Sequence, residues 1–112
     1  MSPARINIRE HIEAFAGKEL FAENKDIAKQ LRESAILPAL RDGRQVVLDF
    51  NEISGATQSF VHALISESIR QFRATALENL LFKNCNAKVR EIIRIVFAYM
   101  QESLDTPGDE IN

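Results

Sequence analysis

Residues 45–50, Gln45-Val46-Val47-Leu48-Asp49-Phe50, form the stretch that decides the predicted fold. This run is largely apolar and β-branched, which predicts a strand buried on both faces and therefore central in its sheet. The preceding Asp42-Gly43 is typical of a turn. Residues 51–56 contain Gly55 and small polar side chains, which predict a loop.

Weaker strand patterns lie on either side of this run. Residues 5–8 alternate polar and apolar side chains, as a short half-buried strand does, and residues 80–82 form a brief apolar run between polar neighbours. Residues 9–23 leave two alternatives open, because their apolar side chains are irregularly spaced. They hold either a second short strand near Leu20-Phe21 or a loop packed over the core.

Three segments carry apolar side chains at helical spacing and predict amphipathic helices: residues 24–36, residues 57–74 and the segment that follows Asn86. Pro38 disfavours helical geometry at the residue before it, so the first helix is predicted to end near that position. Thr57 and Asn86 are predicted to cap the second and third helices with their side-chain oxygens. Each helix has one apolar stripe, which suits a layer of helices against a sheet.

The element order is therefore β-(loop or β)-α-β-α-β-α. Strands that alternate with helices favour parallel pairing with right-handed crossovers. The sequence predicts an α/β domain with a mixed, mainly parallel sheet of three to four strands and three helices packed on it. Residues 1–104 are expected to form this single domain, and residues 105–112, with three acids and Pro107-Gly108, are expected to be a flexible acidic C-terminal tail.

Composition narrows the class of protein. A chain of 112 residues with 46% apolar residues fits one domain with a real core. The formal net charge of −2 argues against nucleic-acid binding. No apolar run approaches the roughly 20 residues of a membrane-spanning helix, and the first residues do not resemble a secretion signal. With one cysteine, Cys85, and hence no internal disulfide, a cytoplasmic protein without membrane insertion is expected.

A search for catalytic or metal-binding patterns finds none that is complete. His11 and His62 have no cysteine or carboxylate at metal-ligand spacing, and Cys85 has no base beside it in sequence. Asp49 and Glu52 flank the end of the central strand but have no nucleophile or metal partner nearby in the chain. The sequence therefore predicts a protein that is not an enzyme and that holds no cofactor or metal.

The segment after the central strand is the best candidate for binding. In open α/β sheets, segments at the carboxyl ends of the strands form the crevice where ligands and partners bind. Hydroxyl groups at a helix N-terminus also lie where a phosphate is electrostatically favoured. The alternative is that Thr57 or Ser59 simply caps the helix. The candidate docking or phospho-acceptor residues are Asp49, Ser54, Gly55, Thr57, Gln58 and Ser59.

The stretch from Val46 to Phe60 resembles the STAS fold, in which a strand and a short connection lead to hydroxyl residues that open an amphipathic helix. The resemblance is closer to a bacterial STAS-like branch of unknown function, in which Asp-Phe precedes a helix that starts with Ser-Phe. Those pairs are Asp49-Phe50 and Ser59-Phe60 here. The resemblance to anti-sigma factor antagonists implies a protein-interaction module in signalling that docks to an ATP-binding kinase of the anti-sigma type.

One departure from the family pattern affects its regulation. Anti-sigma factor antagonists carry Asp-Ser-Ser-Gly at the helix start, and the partner kinase phosphorylates the first serine. The aligned residues here are Thr57-Gln58-Ser59-Phe60, so Gln58 occupies the phosphorylated position and accepts no phosphate. Whether Thr57 or Ser59 takes its place is left open, since each points about 100° away around the helix.

The expected function is thus a cytoplasmic regulatory module that docks a protein through the segment 53–59 and the exposed face of the helix at 60–73. The alternative is a sensor that binds a small molecule, anion or nucleotide at the N-terminus of the helix beginning near Thr57. A third possibility is a homodimer formed through an uncovered sheet edge or helix face.

Overall fold

The computed structural model describes residues 2–12 and 19–105, with side chains described as far as residue 102. The strands are β1 (Ala4–Asn7), β2 (Leu20–Ala22), β3 (Val46–Asp49), β4 (Ile53–Ala56) and β5 (Leu80–Lys83). The α-helices are α1 (Lys25–Leu31), α2 (Leu37–Arg41), α3 (Gln58–Phe72), α4 (Ala74–Asn79) and α5 (Ala87–Asp105). A 3₁₀ turn (Ile8–His11) follows β1, and a π-helical turn (Arg32–Ile36) joins α1 to α2.

The strands form two small sheets in which the pairing is parallel throughout. The first sheet has the order β1-β3-β5, with Ile6, Leu48 and Phe82 side by side, and the second pairs β2 with β4. The α/β fold with a mainly parallel sheet and a central strand at 46–49 is confirmed. Residues 20–22 form a strand, so the first of the two alternatives for that segment, a second short strand, is confirmed.

The core lies between the first sheet and helices α3 and α5. Val46 and Leu48 of β3 are fully buried, as are Phe60 and Leu64 on the inner face of α3. Burial of each such side chain stabilises the fold by about 1.5–3 kcal/mol. The ring of Phe82 continues this core by packing edge-on against the last helix, with its centroid 5.6 Å from that of Phe97.

The prediction of a loop at residues 51–56 is wrong. A tight turn at Asn51-Glu52, with Glu52 at φ 65°, leads directly into β4. β4 is a strand because β2 lies beside it, and that partner is more than thirty residues earlier in the chain. The pairing with β2 also leaves no room for a side chain at Gly55, because a Cβ at this position would overlap the ring of Phe21.

The prediction that the first helix ends near Pro38 is also wrong, because helical structure continues to Arg41. The amide of Leu37 donates to the carbonyl of Arg32, five residues earlier, and Leu37 keeps helical angles of φ −61° and ψ −44°. Such a π-turn is wider than an α-turn and accommodates the proline ring. Pro38 then lies in the first turn of α2, where its fixed φ suits the helix.

The predicted caps of the two long helices are confirmed. The Thr57 hydroxyl oxygen accepts a hydrogen bond from the Phe60 amide at 3.1 Å, and Asn86 Oδ1 accepts one from the Val89 amide at 2.9 Å. The helix predicted over 57–74 ends at Phe72, and Arg73 at φ 49° turns the chain into α4, which the sequence did not predict. The predicted flexible tail lies outside the described residues, except for Asp105 at the end of α5.

Candidate functional site

A groove of about 570 Å³ runs along the outer face of α3, with α1 on one side and α5 on the other. We call it the basic groove. Ala63 and Ser66 of α3 are only 8% and 4% exposed and, because they are small, leave the space between the flanking helices open. The residues around it are Lys25, Lys29, Arg32, Gln58, Ser59, His62, Ala63, Ser66, Glu67, Arg70, Val96 and Tyr99.

Positive charge dominates the basic groove. Among the described residues that line it, the cations are Lys25, Lys29, Arg32 and Arg70, and the carboxylate is Glu67. Glu67 accepts hydrogen bonds from Gln71 and Arg70, each at 3.2 Å, and these contacts lower its pKa. The groove therefore keeps a net positive charge at neutral pH.

The cations differ in how far they are already paired. Arg32 forms an ion pair with Glu33 at 2.7 Å and donates to the carbonyl oxygen of Ala63 at 3.4 Å. Lys25 and Lys29 are exposed and form no ion pair with any residue in the described ranges. These two ammonium groups are thus available to a ligand or partner.

His62 and Tyr99 form the aromatic part of the groove. Their ring centroids lie 6.3 Å apart in an edge-on arrangement, and Tyr99 is 62% exposed. Partial burial, aided by the positive charge of Arg70, lowers the pKa of His62. His62 is therefore neutral at pH 7 and adds no charge to the groove.

The structure brings three of the predicted site residues to one end of this groove. Gln58 and Ser59 are exposed in the first turn of α3 and line the groove together with Lys25 and Lys29. Thr57 precedes them as the N-cap residue, with its hydroxyl oxygen already accepting the Phe60 amide. The capping interpretation holds for Thr57, whereas the Ser59 hydroxyl makes no such contact.

Two other predicted residues, Ser54 and Gly55, lie within β4 instead of on a loop. The Ser54 hydroxyl donates to the carbonyl oxygen of Leu20 at 2.8 Å, which fastens β4 to β2. Gly55 is buried against Phe21. Both residues therefore support the strand pairing that positions the first turn of α3, and neither lines the basic groove.

Asp49 belongs to a separate cluster at the start of β4, which we call the turn network: Asp49, Asn51, Asn84 and Asn86. Asp49 Oδ1 accepts from the Asn51 amide at 2.9 Å and from Asn84 Nδ2 at 3.0 Å. Asn86 Nδ2 donates to the carbonyl oxygen of Ser54 at 2.9 Å. These bonds join the β3–β4 turn to the β5–α5 connection, away from the residues that line the basic groove.

The hydrogen bond from Asn84, helped by that from the Asn51 amide and by the charge of Lys83, lowers the pKa of Asp49. Glu52, the other carboxylate considered above, forms an ion pair with Arg9. The two carboxylates thus have separate partners and do not form an acid–base pair.

The remaining candidates for chemistry are also engaged in structure. Cys85 is half-buried, and burial raises the pKa of its thiol, which favours the protonated form over a reactive thiolate. Among residues 2–12 and 19–105, no group of three or more histidine, cysteine or acidic side chains is placed to hold a metal ion.

Sequence reasoning missed the contribution of α1 to the site. Lys25, Lys29 and Arg32 recur at helical spacing, so the sequence indicates that they share one face. It does not indicate that this face lies beside α3. Tyr99 was likewise not identified, because it leaves the spacing of apolar residues that predicts the last helix unchanged.

Comparison with known proteins agrees with this geometry. A family model described as a STAS-like domain of unknown function matches residues 28–90, which run from within α1 to the first turn of α5. No curated protein and no solved structure matches the chain. No helix in the described part of the chain has both the length and the apolar character needed to cross a membrane. The matched residues cover more than half of the sequence and include β3, β4 and all of α3, so the chain belongs to the family of STAS-like domains of unknown function.

Proposed function

We propose that this STAS-like domain is a regulatory module that docks a protein partner through the first turn of α3 and the adjoining basic groove. The observation that carries the proposal is that the exposed residues Gln58 and Ser59 line the same groove as Lys25 and Lys29, which form no ion pair with the described residues. Polar and charged groups without internal partners on a rigid helix supply the directional contacts by which an interface selects its partner.

The resemblance to anti-sigma factor antagonists suggests the class of partner, an ATP-binding kinase-like regulator. The positive charge of the basic groove favours an acidic surface on that partner, because complementary charge steers association and excludes wrong partners. A partner docked on this surface would contact Thr57-Gln58-Ser59, the residues that align with the phosphorylated turn of anti-sigma factor antagonists.

The two hydroxyl groups in this turn are unequal as phosphate acceptors. The Thr57 oxygen caps α3, and its modification would remove that hydrogen bond. Ser59 is exposed and holds no cap. If the domain is regulated by phosphorylation, Ser59 is therefore the residue we propose to be modified.

The proposal predicts that Ser59→Glu weakens partner binding by about tenfold or more, because the new carboxylate repels an acidic partner. Gln58→Arg is expected to weaken binding as well, because its longer side chain obstructs close contact at the first turn of α3, which outweighs its favourable charge. A quantitative pull-down from the source cells identifies the ATP-binding partner, and calorimetry with the purified partner measures the affinity. Matched controls are Thr75→Glu and Gln45→Arg, which make the same chemical changes at exposed positions outside the groove.

Both groove variants should melt at the wild-type temperature, since neither side chain is buried. Loss of binding in the groove variants but not in the controls supports the docking surface. Equal affinity for all four variants and the wild type would rule it out.

A further inference from the structure

We propose that the basic groove is also a binding site for a phosphate chain, such as the triphosphate of a nucleotide or free polyphosphate. This inference does not rest on docking to a protein, because it concerns a ligand that the groove can hold by itself. Its support comes from the charge of the groove, the hydroxyl of Ser66 on its floor and its dimensions.

The charge of the groove is arranged along a line. Lys25, Lys29 and Arg32 occupy successive turns on one wall, and Arg70 lies on α3. From Lys25 to Arg32 the helix axis advances by about 10 Å. Cations spread over this length match several phosphates in a row better than one compact anion. Lys25 and Lys29, which form no ion pair with described residues, carry the charge that a phosphate chain would neutralise.

The floor of the groove contains a hydroxyl group. Ser66 is 4% exposed and lines the groove. A phosphate oxygen seated between the two walls would accept a hydrogen bond from this hydroxyl.

The groove also has the size of a small-molecule site. Its volume of about 570 Å³ lies within the range of ligand pockets, roughly 300–1,000 Å³. The exposed ring of Tyr99 offers an aromatic surface at the wall formed by α5. A nucleotide base would stack there, whereas free polyphosphate would leave the ring uncovered.

The test is calorimetric titration of the full chain with ATP and, separately, with sodium tripolyphosphate at low ionic strength. The Lys25→Gln/Lys29→Gln double variant is expected to bind either ligand about tenfold more weakly or worse, since each lysine supplies a charge-assisted hydrogen bond. The matched control is Arg41→Gln/Lys88→Gln, which removes the same net charge from exposed positions outside the groove.

Wild-type binding that is lost in the groove variant and kept in the control supports the site. Equal affinity for the two ligands then identifies the phosphate chain as the recognised group. Tighter binding of ATP, with the difference removed by Tyr99→Ala, identifies a nucleotide. Absence of binding at millimolar ligand, or the same loss in both double variants, would overturn the inference. The titration with ATP or tripolyphosphate and the measurement of partner binding by Ser59→Glu are independent experiments. Either proposal can therefore fail while the other is supported.

Discussion

The two ends of β4 are both built from polar residues but use them differently. At its start, the side chains of the turn network bond to one another and to the backbone, with three of those bonds between 2.9 and 3.0 Å. At its end, Gln58 and Ser59 lead into a groove where Lys25 and Lys29 have no ionic partner among the described residues. Satisfied polar groups hold a structure together, whereas unsatisfied ones are available for binding. The first end therefore stabilises the fold, and the second is the candidate site.

The largest expected effect on stability comes from a substitution within β4 itself. Gly55→Val should destabilise the protein by about 1–3 kcal/mol, because the new side chain must displace the ring of Phe21. Urea denaturation measures the change. The Phe21→Ala/Gly55→Val double variant is the control, since removal of the ring should recover much of the loss. A full additive loss in the double variant would contradict this account of the packing.

The turn network should be important for stability and unimportant for binding. Asp49→Ala removes the acceptor of two hydrogen bonds and should lower the free energy of unfolding by about 1–2 kcal/mol. Glu52→Ala is the control, because it breaks only an exposed ion pair with Arg9 and should change stability by less than about 1 kcal/mol. Tripolyphosphate affinity should be unchanged in both. A binding defect in Asp49→Ala would show that the two ends are not separate.

The smallest expected effect is a difference in pH dependence. The pKa of His62 is lowered from 6.5 by burial and by the charge of Arg70, so the unfolded chain binds the proton more readily. Its contribution to stability is therefore full above pH 6.5 and decreases as the pH falls toward its folded pKa. The pKa of Asp49 is lowered from 3.8, chiefly by Asn84, so its contribution is lost only below that value.

Thermal unfolding from pH 8 to pH 3 separates the two groups. His62→Gln should flatten the profile just below pH 6.5, and Asp49→Asn should flatten it only below pH 3.8. The same profile for His62→Gln and the wild type near pH 6 would contradict the partial burial of this ring.

Much of the fold follows from local patterns. The apolar run at 46–50 predicts the central strand, and the spacing of apolar residues predicts α3 and α5, because burial of one face imposes the period of the element. Thr57 and Asn86 were identified as caps because the first amides of a helix need side-chain acceptors that are close in sequence. The family resemblance carried by Asp49-Phe50 and Ser59-Phe60 is confirmed by the match over 28–90.

The errors have a common cause. β4 is a strand only because β2 pairs with it, and helical structure continues past Pro38 only because a π-turn makes room for the ring. Neither the pairing of β2 with β4 nor the π-turn can be recognised from the pattern of apolar and polar residues in a short stretch of sequence. The site shows the same limit, since Gln58 and Ser59 were identified from the pattern after the central strand but Lys25, Lys29 and Tyr99 were not.

The sequence by itself thus determined the class of fold, the central strand, the long helices with their caps, and the turn of α3 that carries the candidate site. These depend on neighbours within one or two turns of the chain. Only the tertiary structure decided that Asp49 stabilises a turn, that Ser54 and Gly55 belong to a strand, and that the cations of α1 line the same groove as Ser59. Those features depend on which elements pack together, and contacts between residues far apart in the chain are selected by the packing of the whole core.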